Sequence, residues 1–542
     1  MLKYLEHIKR ILSHPLTGMA ILITAILSRI LQLLFFYNIR VDASFQVMAT
    51  QSFVNGQGFS IAKAYPSDLA QTIYEPLANW PPGYSILLSP FFLLFSPNYM
   101  WGGIVLDTLA ALLLIFSLRN ILKFFLLPPH LVNIYTFIIG CFVYYFYFIA
   151  SSDAIAIALI SFSVYYILKL CRAEKQNGKF LFFSSSALII AGWIKYMFIP
   201  VVILIPLLVW VYGKHLGKKN IYKAGMLSFV TVLTGCAALL LFQQFNTGTA
   251  AYISQPERGF FPHHLSEFYP FIPAAFIKPD TAEMIISGNT DFSKNIYRFM
   301  QAVHLLALIS ITIILAKSIA KRSNHQISLK KFFFLTSYII CIAITSLLAF
   351  LSLTVAKEEI LPGWFWTYIE EARYFGLCTV LVQTAVFLWM NSISQKKFKW
   401  FFSIIILLMF LPETARGIAF TANRIRNWGQ EEYSWQYEHR FEKQAAHIID
   451  SAIIEGEKPV ITGSGYYMNH RISIYKNAPL LDSGLLINDL SSLKSSSPVL
   501  LLVILQDKDL QSYSQFISTN NNALAGKFED YSFYTIHVEA GK

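Results

Sequence analysis

The apolar residues of this chain fall into repeated runs of about 20 positions, separated by polar segments. A helix needs about 20 residues to cross the hydrocarbon core of a bilayer, so these runs predict membrane-spanning helices. The runs are residues 16–37, 101–122, 129–149, 153–170, 180–194, 197–212, 223–245, 298–318, 332–355, 375–391 and 400–419. The pattern predicts a polytopic α-helical membrane protein with about 11 transmembrane helices.

One further apolar run, residues 83–97 (GYSILLSPFFLLFSP), is harder to place. It is only about 15 residues long, which is short for a span, and it contains Pro90 and Pro97. If it crossed the membrane, every later loop would change sides, and the basic cluster Lys169–Lys179 would lie outside. We therefore predict an interfacial or re-entrant helix on the outer face.

Loop charges set the predicted orientation. With the N-terminus in the cytoplasm, most basic loop residues lie inside, with Glu6 and Glu174 as their acidic counterparts, which is the positive-inside pattern. The outer segments are then residues 38–100, the junction 151–153, 246–297, 356–374 and the chain after about 420. This orientation also accounts for the net charge of +12 without nucleic acid, because basic loops face an anionic leaflet.

The tail has a different pattern from the rest of the chain. Residues 435–456 read as an amphipathic helix, and PVITGS, RISIYK, PVLLLVIL and FYTIHV read as short strands between turn residues. DLQSYSQFIS, between two of the strands, reads as helical. We predict a transmembrane module over residues 1–420 and a small extracytoplasmic α/β domain over residues 421–542.

Composition narrows the class further. Hydrophobic residues make up 55% of the 542 positions and charged residues 14%, whereas a soluble chain carries about 25% charged residues. The five cysteines lie in or beside apolar runs without metal-ligand spacing, which argues against disulfides and cysteine zinc sites. There is no phosphate-binding loop and no dinucleotide fingerprint in the sequence.

Three carboxylates lie near the predicted outer face: Asp42 after the first span, Asp107 two turns into the second, and Asp153 at the start of the fourth. Charges at such depths usually face a cavity or a partner, so the three together predict a polar cavity open to the outside. Each also has a structural alternative. Asp42 reads on composition alone as a solvated loop residue, Asp107 as a buried hydrogen-bonded carboxylate, and Asp153 as a helix cap.

Two basic residues lie near the predicted outer face, although most basic loop residues of this chain are predicted to lie inside. Lys195 falls at the turn of a tight helical hairpin, and Arg373 lies where the tenth span begins. A lipid phosphate is one reason to keep positive charge there. The alternatives are a lysine that extends to the headgroups and a salt bridge from Arg373 to Glu370 or Glu371.

The predicted outer loop 246–297 carries Arg258, His263, His264 and Glu267 among many aromatic residues. A histidine pair with a nearby Glu can bind metal, but adjacent histidines point in different directions on a regular element. The Trp and Tyr residues of the outer loops are mostly typical of an interfacial belt, and stacking on sugar rings is the alternative for some of them.

In order along the chain, these motifs resemble the GT-C superfamily of membrane glycosyltransferases. The similarity is greatest to the protein O-mannosyltransferases and the lipid A aminoarabinose transferases. It rests on the first span with its following Asp, a Gly-x-Gly about 15 residues later, and WPPGYS before a short helix. It extends through SSDAIAIALISFSVYYIL, AGWIKYMFIPVVILIPLL and EARYFGL, and so covers most of the membrane part.

The resemblance implies roles for particular residues. Asp42 takes the catalytic carboxylate position and Asp153 the second acidic position. Lys195 and Arg373, with Tyr374 beside it, fall where relatives hold the phosphate of a lipid-linked donor. Glu75, Trp80, Tyr84, Arg258 and His263 are the candidate substrate-binding residues.

The chain also departs from the family pattern. Ala43 and Phe45 stand where an acidic residue and a Tyr are often found, and the second loop has one acidic residue instead of a pair. The sequence therefore implies no firm cofactor, leaves a divalent metal open, and leaves an inactive relative as an alternative.

The function implied is an inverting sugar transfer. The donor is a polyprenyl-phosphate sugar and the acceptor is an envelope glycan, lipid or protein, with Asp42 as general base. The predicted location is the bacterial inner membrane, with membrane lipids as surroundings and no nucleic acid partner. A transporter or flippase of lipid-linked sugars is the main alternative, although no inverted repeat is visible. A degenerate envelope-assembly protein is the other.

Overall fold

The computed structural model describes residues 2–541, apart from 38, 40, 97–98, 142–151, 173–176, 216, 251–375, 393–395, 430–433, 483–492 and 520–522. These residues pack as two compact units, each made of two stretches of chain. The first unit comprises residues 1–34 and 107–428, and the second comprises residues 35–106 and 429–542.

The first unit is helical throughout the described residues. Its helices are α1 (Leu2–Ser13), α2 (Pro15–Phe36), α5 (Tyr99–Phe124), α6 (Pro129–Cys141), α7 (Ser152–Arg172), α8 (Gly178–Ile194), α9 (Ile199–His215), α10 (Lys219–Thr247), α11 (Gly376–Ser392) and α12 (Lys396–Arg426), of which α2 and α5 run across the division between the units. Four helices in the described part of the chain, α2, α5, α7 and α10, are long and apolar enough to cross a membrane.

The predicted spans coincide with these helices wherever the structure describes them. The span predicted at 153–170 is α7, and that at 223–245 lies inside α10. The span predicted at 129–149 is described only as far as Cys141, where α6 ends. The spans predicted at 298–318 and 332–355 lie outside the described residues.

The apolar run that begins at residue 83 contains a short helix, α4 (Gly83–Phe95), with Pro90 inside it. Its 13 residues extend about 20 Å at 1.5 Å per residue, which is less than the roughly 30 Å of a hydrocarbon core. The helix predicted from the charge pattern is therefore present, and it is too short to span.

The rest of the predicted loop 38–100 is more ordered than its polar sequence suggested. It contains α3 (Val41–Val54) and an antiparallel hairpin of β1 (Ser60–Tyr65) and β2 (Asp68–Pro76). The sequence pattern predicted no strands in this segment. Helix α3 shows no clear periodicity because polar residues such as Ser44 and Thr50 are as buried as Val47 and Met48.

The tail forms a four-stranded sheet in the order β3-β4-β6-β5. Strands β3 and β4 are parallel and the other pairs are antiparallel. The elements are α13 (Ser434–Ala452), β3 (Lys458–Gly463), α14 (Tyr466–Lys476), β4 (Val499–Gln506), a 3₁₀ helix (Asp507–Tyr513), α15 (Ser514–Thr519), β5 (Leu524–Phe528) and β6 (Tyr531–Val538). The helix predicted at 435–456 and the helical reading of DLQSYSQFIS are confirmed.

One strand prediction in the tail is wrong. RISIYK is the end of helix α14, which stops at Asn477 in the left-handed conformation. Its side chains from Met468 to Ile474 are buried in an unbroken run that includes Arg471 and Ser473, whereas Tyr475 and Lys476 at its end are half-buried. A helix buried on all sides has no polar face, so its sequence shows no helical period and RISIYK reads as a strand.

The hairpin is part of the same core as the sheet. Ala64 and Leu69 lie in a cluster with Val460, Leu501 and Val503. Backbone bonds connect the two stretches of chain: Ala64 N donates to Leu480 O at 2.8 Å, and Leu69 N donates to Lys494 O at 2.9 Å. The Lys458 ammonium also donates to Ala70 O at 2.9 Å. Residues 35–106 and the tail therefore form one folded body.

Candidate functional site

Two of the predicted site residues form an ion pair in the first unit. Lys195 Nζ lies 2.5 Å from Asp153 Oδ2. The Asp153 side chain is fully buried and that of Lys195 is 13% exposed. Asp153 is the second residue of α7, so the interpretation as a flanking cap gives way to a buried, charge-paired carboxylate. The sequence reading had named both residues, but had not paired them.

The turn between α8 and α9 holds Lys195 in place. Helix α8 ends at Ile194, Lys195 has extended backbone, and a 3₁₀ turn (Tyr196–Phe198) leads into α9. The tight hairpin predicted from AGWIKYMFIP is confirmed. A Cβ on Gly192 would lie 3.3 Å from Cys236 Sγ in α10, so the close packing of α8 on α10 favours glycine there. The lysine is thus fixed at a helix break next to α7.

A second polar network of this unit was missed by the sequence reading. Arg29, in the middle of α2, is 7% exposed and donates through Nε to Ile139 O at 3.1 Å. Its Nη1 donates to Gln32 Oε1 at 2.7 Å, and Gln32 donates to Ser28 Oγ at 2.8 Å. A charged residue within an apolar span was the available signal. The network satisfies backbone carbonyls near the described end of α6.

The Arg29 network lines a small cavity between α2, α5, α6 and α7. Its wall includes Arg29, Gln32, Asp107, Ala154 and Ile157, and its volume is about 40 Å³. That volume accommodates about one water molecule and is far too small for a sugar. Asp107 is 2% exposed on this wall, as its structural alternative predicted. The cavity therefore lies next to the residue that follows Asp153, but its lining is mostly apolar and it is not itself a substrate site.

In the second unit, Asp42 is the second residue of helix α3. Its alternative reading as a solvated loop residue is thus corrected at the level of secondary structure. Its neighbours in α3 are packed against helix α14: Ser44 Oγ lies 2.8 Å from His470 Nδ1. The rings of Phe45 and His470 are 4.4 Å apart. Sequence reasoning missed this contact because it joins positions more than 400 residues apart.

The candidate substrate-binding residues of the second unit have different environments. Trp80 stacks on Phe45 with ring centroids 5.3 Å apart. Tyr84 is only 1% exposed. Glu75 is exposed and paired with Lys63 on the hairpin. The candidates Arg258, His263, Arg373 and Tyr374 lie outside the described residues.

Helix α14 carries a buried arginine that forms ion pairs within the second unit. Arg471 is fully buried, with Nη1 2.5 Å from Glu438 Oε2 and Nη2 2.7 Å from Glu442 Oε1. The same Nη2 lies 3.2 Å from Met100 Sδ, and the Tyr99 hydroxyl donates to Glu442 Oε1 at 2.7 Å. The cluster joins α13 and α14 to the first residues of α5.

The pKa values of the two carboxylates in this cluster are shifted in opposite directions. Burial raises the pKa of Glu438 to about 7, although the Arg471 charge acts against the rise. Burial also acts to raise the pKa of Glu442, but Arg471 and hydrogen bonds from His439 and Tyr99 outweigh it, so that pKa lies below its usual range. Glu442 is therefore the stronger anionic partner of Arg471.

His470 makes the stability of the second unit depend on pH. Burial, together with the Lys63 charge, lowers the pKa of His470 from 6.5 to about 4. The unfolded chain therefore takes up the proton first, so the contribution of this residue is complete above about pH 6.5 and is lost as the pH falls toward 4. We expect the stability of wild type relative to His470→Asn to fall by on the order of 3 kcal/mol as the pH falls across that range.

This expectation is checked by urea unfolding of both proteins, in detergent, at a series of pH values. The stability contribution of Glu438 has the opposite pH dependence. Because both proteins contain Glu438, its effect cancels in the difference between their unfolding free energies. His447→Gln is the matched control, because His447 is exposed on α13. A constant difference between wild type and His470→Asn from pH 7 to pH 4 would contradict the expectation.

The described residues bring together no group of three His, Cys, Asp or Glu side chains that could hold a metal ion. Cys141, Cys171 and Cys236 are free thiols buried among helices. The candidate histidines of the loop 246–297, His263 and His264, lie outside the described residues.

Comparisons with known proteins give fold similarity without sequence similarity. No family model matches the chain, and no curated protein does. The crystal structure of ArnT from Cupriavidus metallidurans bound to undecaprenyl phosphate matches with TM-score 0.51 at 12% identity, over 96% of this chain and 97% of that one. The Archaeoglobus fulgidus oligosaccharyltransferase in complex with Zn and sulfate matches with TM-score 0.48 at 12% identity, over 92% and 69%.

ArnT is a lipid A aminoarabinose transferase, and both matched proteins are GT-C enzymes. At 12% identity the ArnT match shows a shared fold. It confirms the resemblance to GT-C proteins that the motifs predicted. Together with the four apolar helices of the described residues, this fold makes the chain an integral membrane protein.

Proposed function

We propose that this protein transfers a sugar from a polyprenyl-phosphate donor to an acceptor outside the cytoplasm. The observation that carries the proposal is the buried Lys195–Asp153 pair in a GT-C fold. A lysine kept at a helix break between apolar helices, with one carboxylate to orient it, is suited to a lipid phosphate. ArnT was crystallised with undecaprenyl phosphate, a ligand of the same class.

The proposed mechanism follows from the two groups whose charge changes during the reaction, the acceptor hydroxyl and the leaving phosphate. Asp42 accepts the proton of the acceptor hydroxyl as its oxygen attacks the anomeric carbon from the side opposite the phosphate. The bond from that carbon to the phosphate oxygen breaks, and the lipid phosphate leaves with the bonding electrons. Lys195 and Arg373, with Tyr374, stabilise the negative charge that develops on it. The anomeric configuration is inverted.

Asp153 has a supporting role in this scheme. Its carboxylate already holds the Lys195 ammonium at 2.5 Å, so it orients the cation that meets the phosphate. Trp80 and Glu75, with Tyr84, Arg258 and His263, belong to the acceptor and sugar side. The acceptor is a glycan, lipid or protein of the cell envelope, the membrane is the bacterial inner membrane, and the tail lies outside the cytoplasm.

The proposal is tested with full-length protein in nanodiscs and a panel of radiolabelled sugars on polyprenyl phosphate. Transfer of label to an envelope fraction, with release of one polyprenyl phosphate per sugar, is the expected result. Movement of intact donor across the bilayer without bond cleavage would overturn it in favour of a flippase. Neither cleavage nor movement with any donor of the panel would overturn it in favour of an assembly protein.

Substitutions that remove charge from the Lys195–Asp153 pair distinguish a catalytic role of Lys195 from a purely structural ion pair. Lys195→Met leaves Asp153 buried without its partner, so we expect lost stability as well as lost transfer. The double variant Lys195→Met with Asp153→Asn should recover stability, because no uncompensated charge remains. Its transfer rate should stay about 10²–10³-fold below wild type, since the phosphate has lost its cation.

The measurement is the unfolding midpoint and the single-turnover transfer rate for each variant. Lys179→Met, on the exposed start of α8, is the matched control and should change neither quantity. Recovery of wild-type transfer in the double variant would show that the pair is structural, and would remove Lys195 from the phosphate site.

A further inference from the structure

Helix α14, from the tail, is built against helix α3. His470 is the point of closest polar contact, with its Nδ1 2.8 Å from Ser44 Oγ. One turn further along, Gln51 Nε2 donates to Ile474 O at 3.0 Å. Both contacts lie within the second unit, so they belong to one folded body.

Aromatic packing adds to the polar contact. The Phe45 ring packs against His470, with ring centroids 4.4 Å apart, and against Trp80, with ring centroids 5.3 Å apart. His470 is 6% exposed, and Ser44 is fully buried. A buried hydrogen bond and a ring contact on adjacent residues, 44 and 45, fix both the rotation and the position of the first turn of α3.

The first turn of α3 is also where position 42 lies. Positions 42 and 45 are three residues apart and so occupy neighbouring places on the helix surface. A general base works only within about 2.6–3.2 Å of the proton that it accepts. A displacement of about 1 Å in such a group can lower a rate about 100-fold, even when its cause lies outside the site.

Arg471 stabilises the position of α14, the helix that contacts α3. It follows His470 in α14 and is held by Glu438 and Glu442 of α13. Its Nη2 lies 3.2 Å from Met100 Sδ, and Glu442 also accepts from Tyr99. Helix α14 is therefore anchored to α13 and to the start of α5 at the residue next to the one that contacts α3.

We propose that His470 is a positioning residue that holds the first turn of α3, and with it Asp42, in the orientation needed for sugar transfer. The inference rests on the proposed function and extends it to the tail, whose helix α14 would be part of the catalytic apparatus without touching substrate. His470 acts through Ser44 and Phe45, and its own protonation takes no part in the reaction.

Three substitutions of His470 distinguish this role from general stabilisation. Asn places an amide oxygen or nitrogen near the position of Nδ1 and can bond Ser44 in either sense, whereas Gln reaches toward the position of Nε2. We expect His470→Ala and His470→Gln to lower kcat about 30- to 100-fold with less than a threefold change in donor KM. His470→Asn should recover most of that loss, and His447→Ala is the matched control in the same unit.

A second readout does not depend on catalysis. Amide hydrogen exchange should accelerate in α3 in the Ala and Gln variants and return toward wild type in the Asn variant, while β4 and α13 keep wild-type protection. The Ser44→Ala variant should match His470→Ala in kcat, and the double variant should lose little more than either single one.

Several results would overturn the inference: unchanged exchange in α3, equal acceleration in α3, α13 and β4, an Asn variant no better than Ala, or additive losses in the double variant. If wild type transfers no sugar at all, the proposed function fails. The exchange data then still decide whether His470 holds α3, so the two failures are distinguishable.

Discussion

Asp42→Asn is expected to lower the single-turnover rate of sugar transfer by about 10²–10⁴-fold, the contribution of a positioned general base. Asparagine matches aspartate in size and shape but does not accept the proton. Position 42 lies in the first turn of α3, whose Ser44 and Thr50 are fully buried, so an isosteric change should leave the helix in place. Binding of the lipid donor should change little, because Lys195 and Arg373, the residues proposed to bind its phosphate, are unchanged.

The measurement compares wild type, Asp42→Asn and Asp450→Asn for transfer rate, donor affinity and unfolding midpoint. Asp450 is the matched control: it is exposed on α13 and its ion pair with Lys476 is a surface interaction of little energetic weight. A transfer rate for Asp42→Asn within about threefold of wild type would remove Asp42 as the base, since a general base contributes at least about 100-fold.

Arg471→Met is expected to destabilise the second unit by about 3–5 kcal/mol, the usual cost of removing one member of a buried ion cluster. The arginine is fully buried between Glu438 and Glu442, so the substitution leaves two carboxylates inside the protein without their cation. The triple variant Arg471→Met, Glu438→Gln and Glu442→Gln should regain a large part of the loss, because no buried charge then remains.

Urea midpoints followed by pulse proteolysis of the full chain test this expectation. Arg440→Met is the matched control in the same unit, because its 3.7 Å pair with Glu529 is more than half exposed on both sides. That variant should lose less than about 1 kcal/mol. An Arg471→Met protein as stable as Arg440→Met would show that the buried cluster contributes little.

The sequence was informative wherever structure depends on local pattern. The apolar runs marked α2, α7 and α10, and charge placement identified α4 as a short helix. The turn at Lys195 followed from two apolar segments meeting with almost no loop. The ion-paired residues Lys195 and Asp153 could be named because charges are rare near apolar helices, so each one stands out.

Long-range packing was not accessible in the same way. RISIYK, the second half of α14, read as a strand because polar and apolar residues of this helix are buried alike. The Ser44–His470 bond and the Arg471 cluster join segments that are hundreds of residues apart, and nothing in the local pattern of either segment marks its partner. Arg29 was visible as a charge within a span, but its partner at Ile139 was not.

The discontinuous make-up of the second unit has a consequence for biosynthesis. Asp68 of the hairpin binds the backbone of Ser496, 428 residues later in the chain. At a synthesis rate of roughly 5–20 residues per second, the hairpin and α3 emerge about 20 to 90 s before their partner strands exist. During that interval Ala64 and Leu69 have no core to enter, so this part of every nascent chain waits for the last-made segment before it can mature.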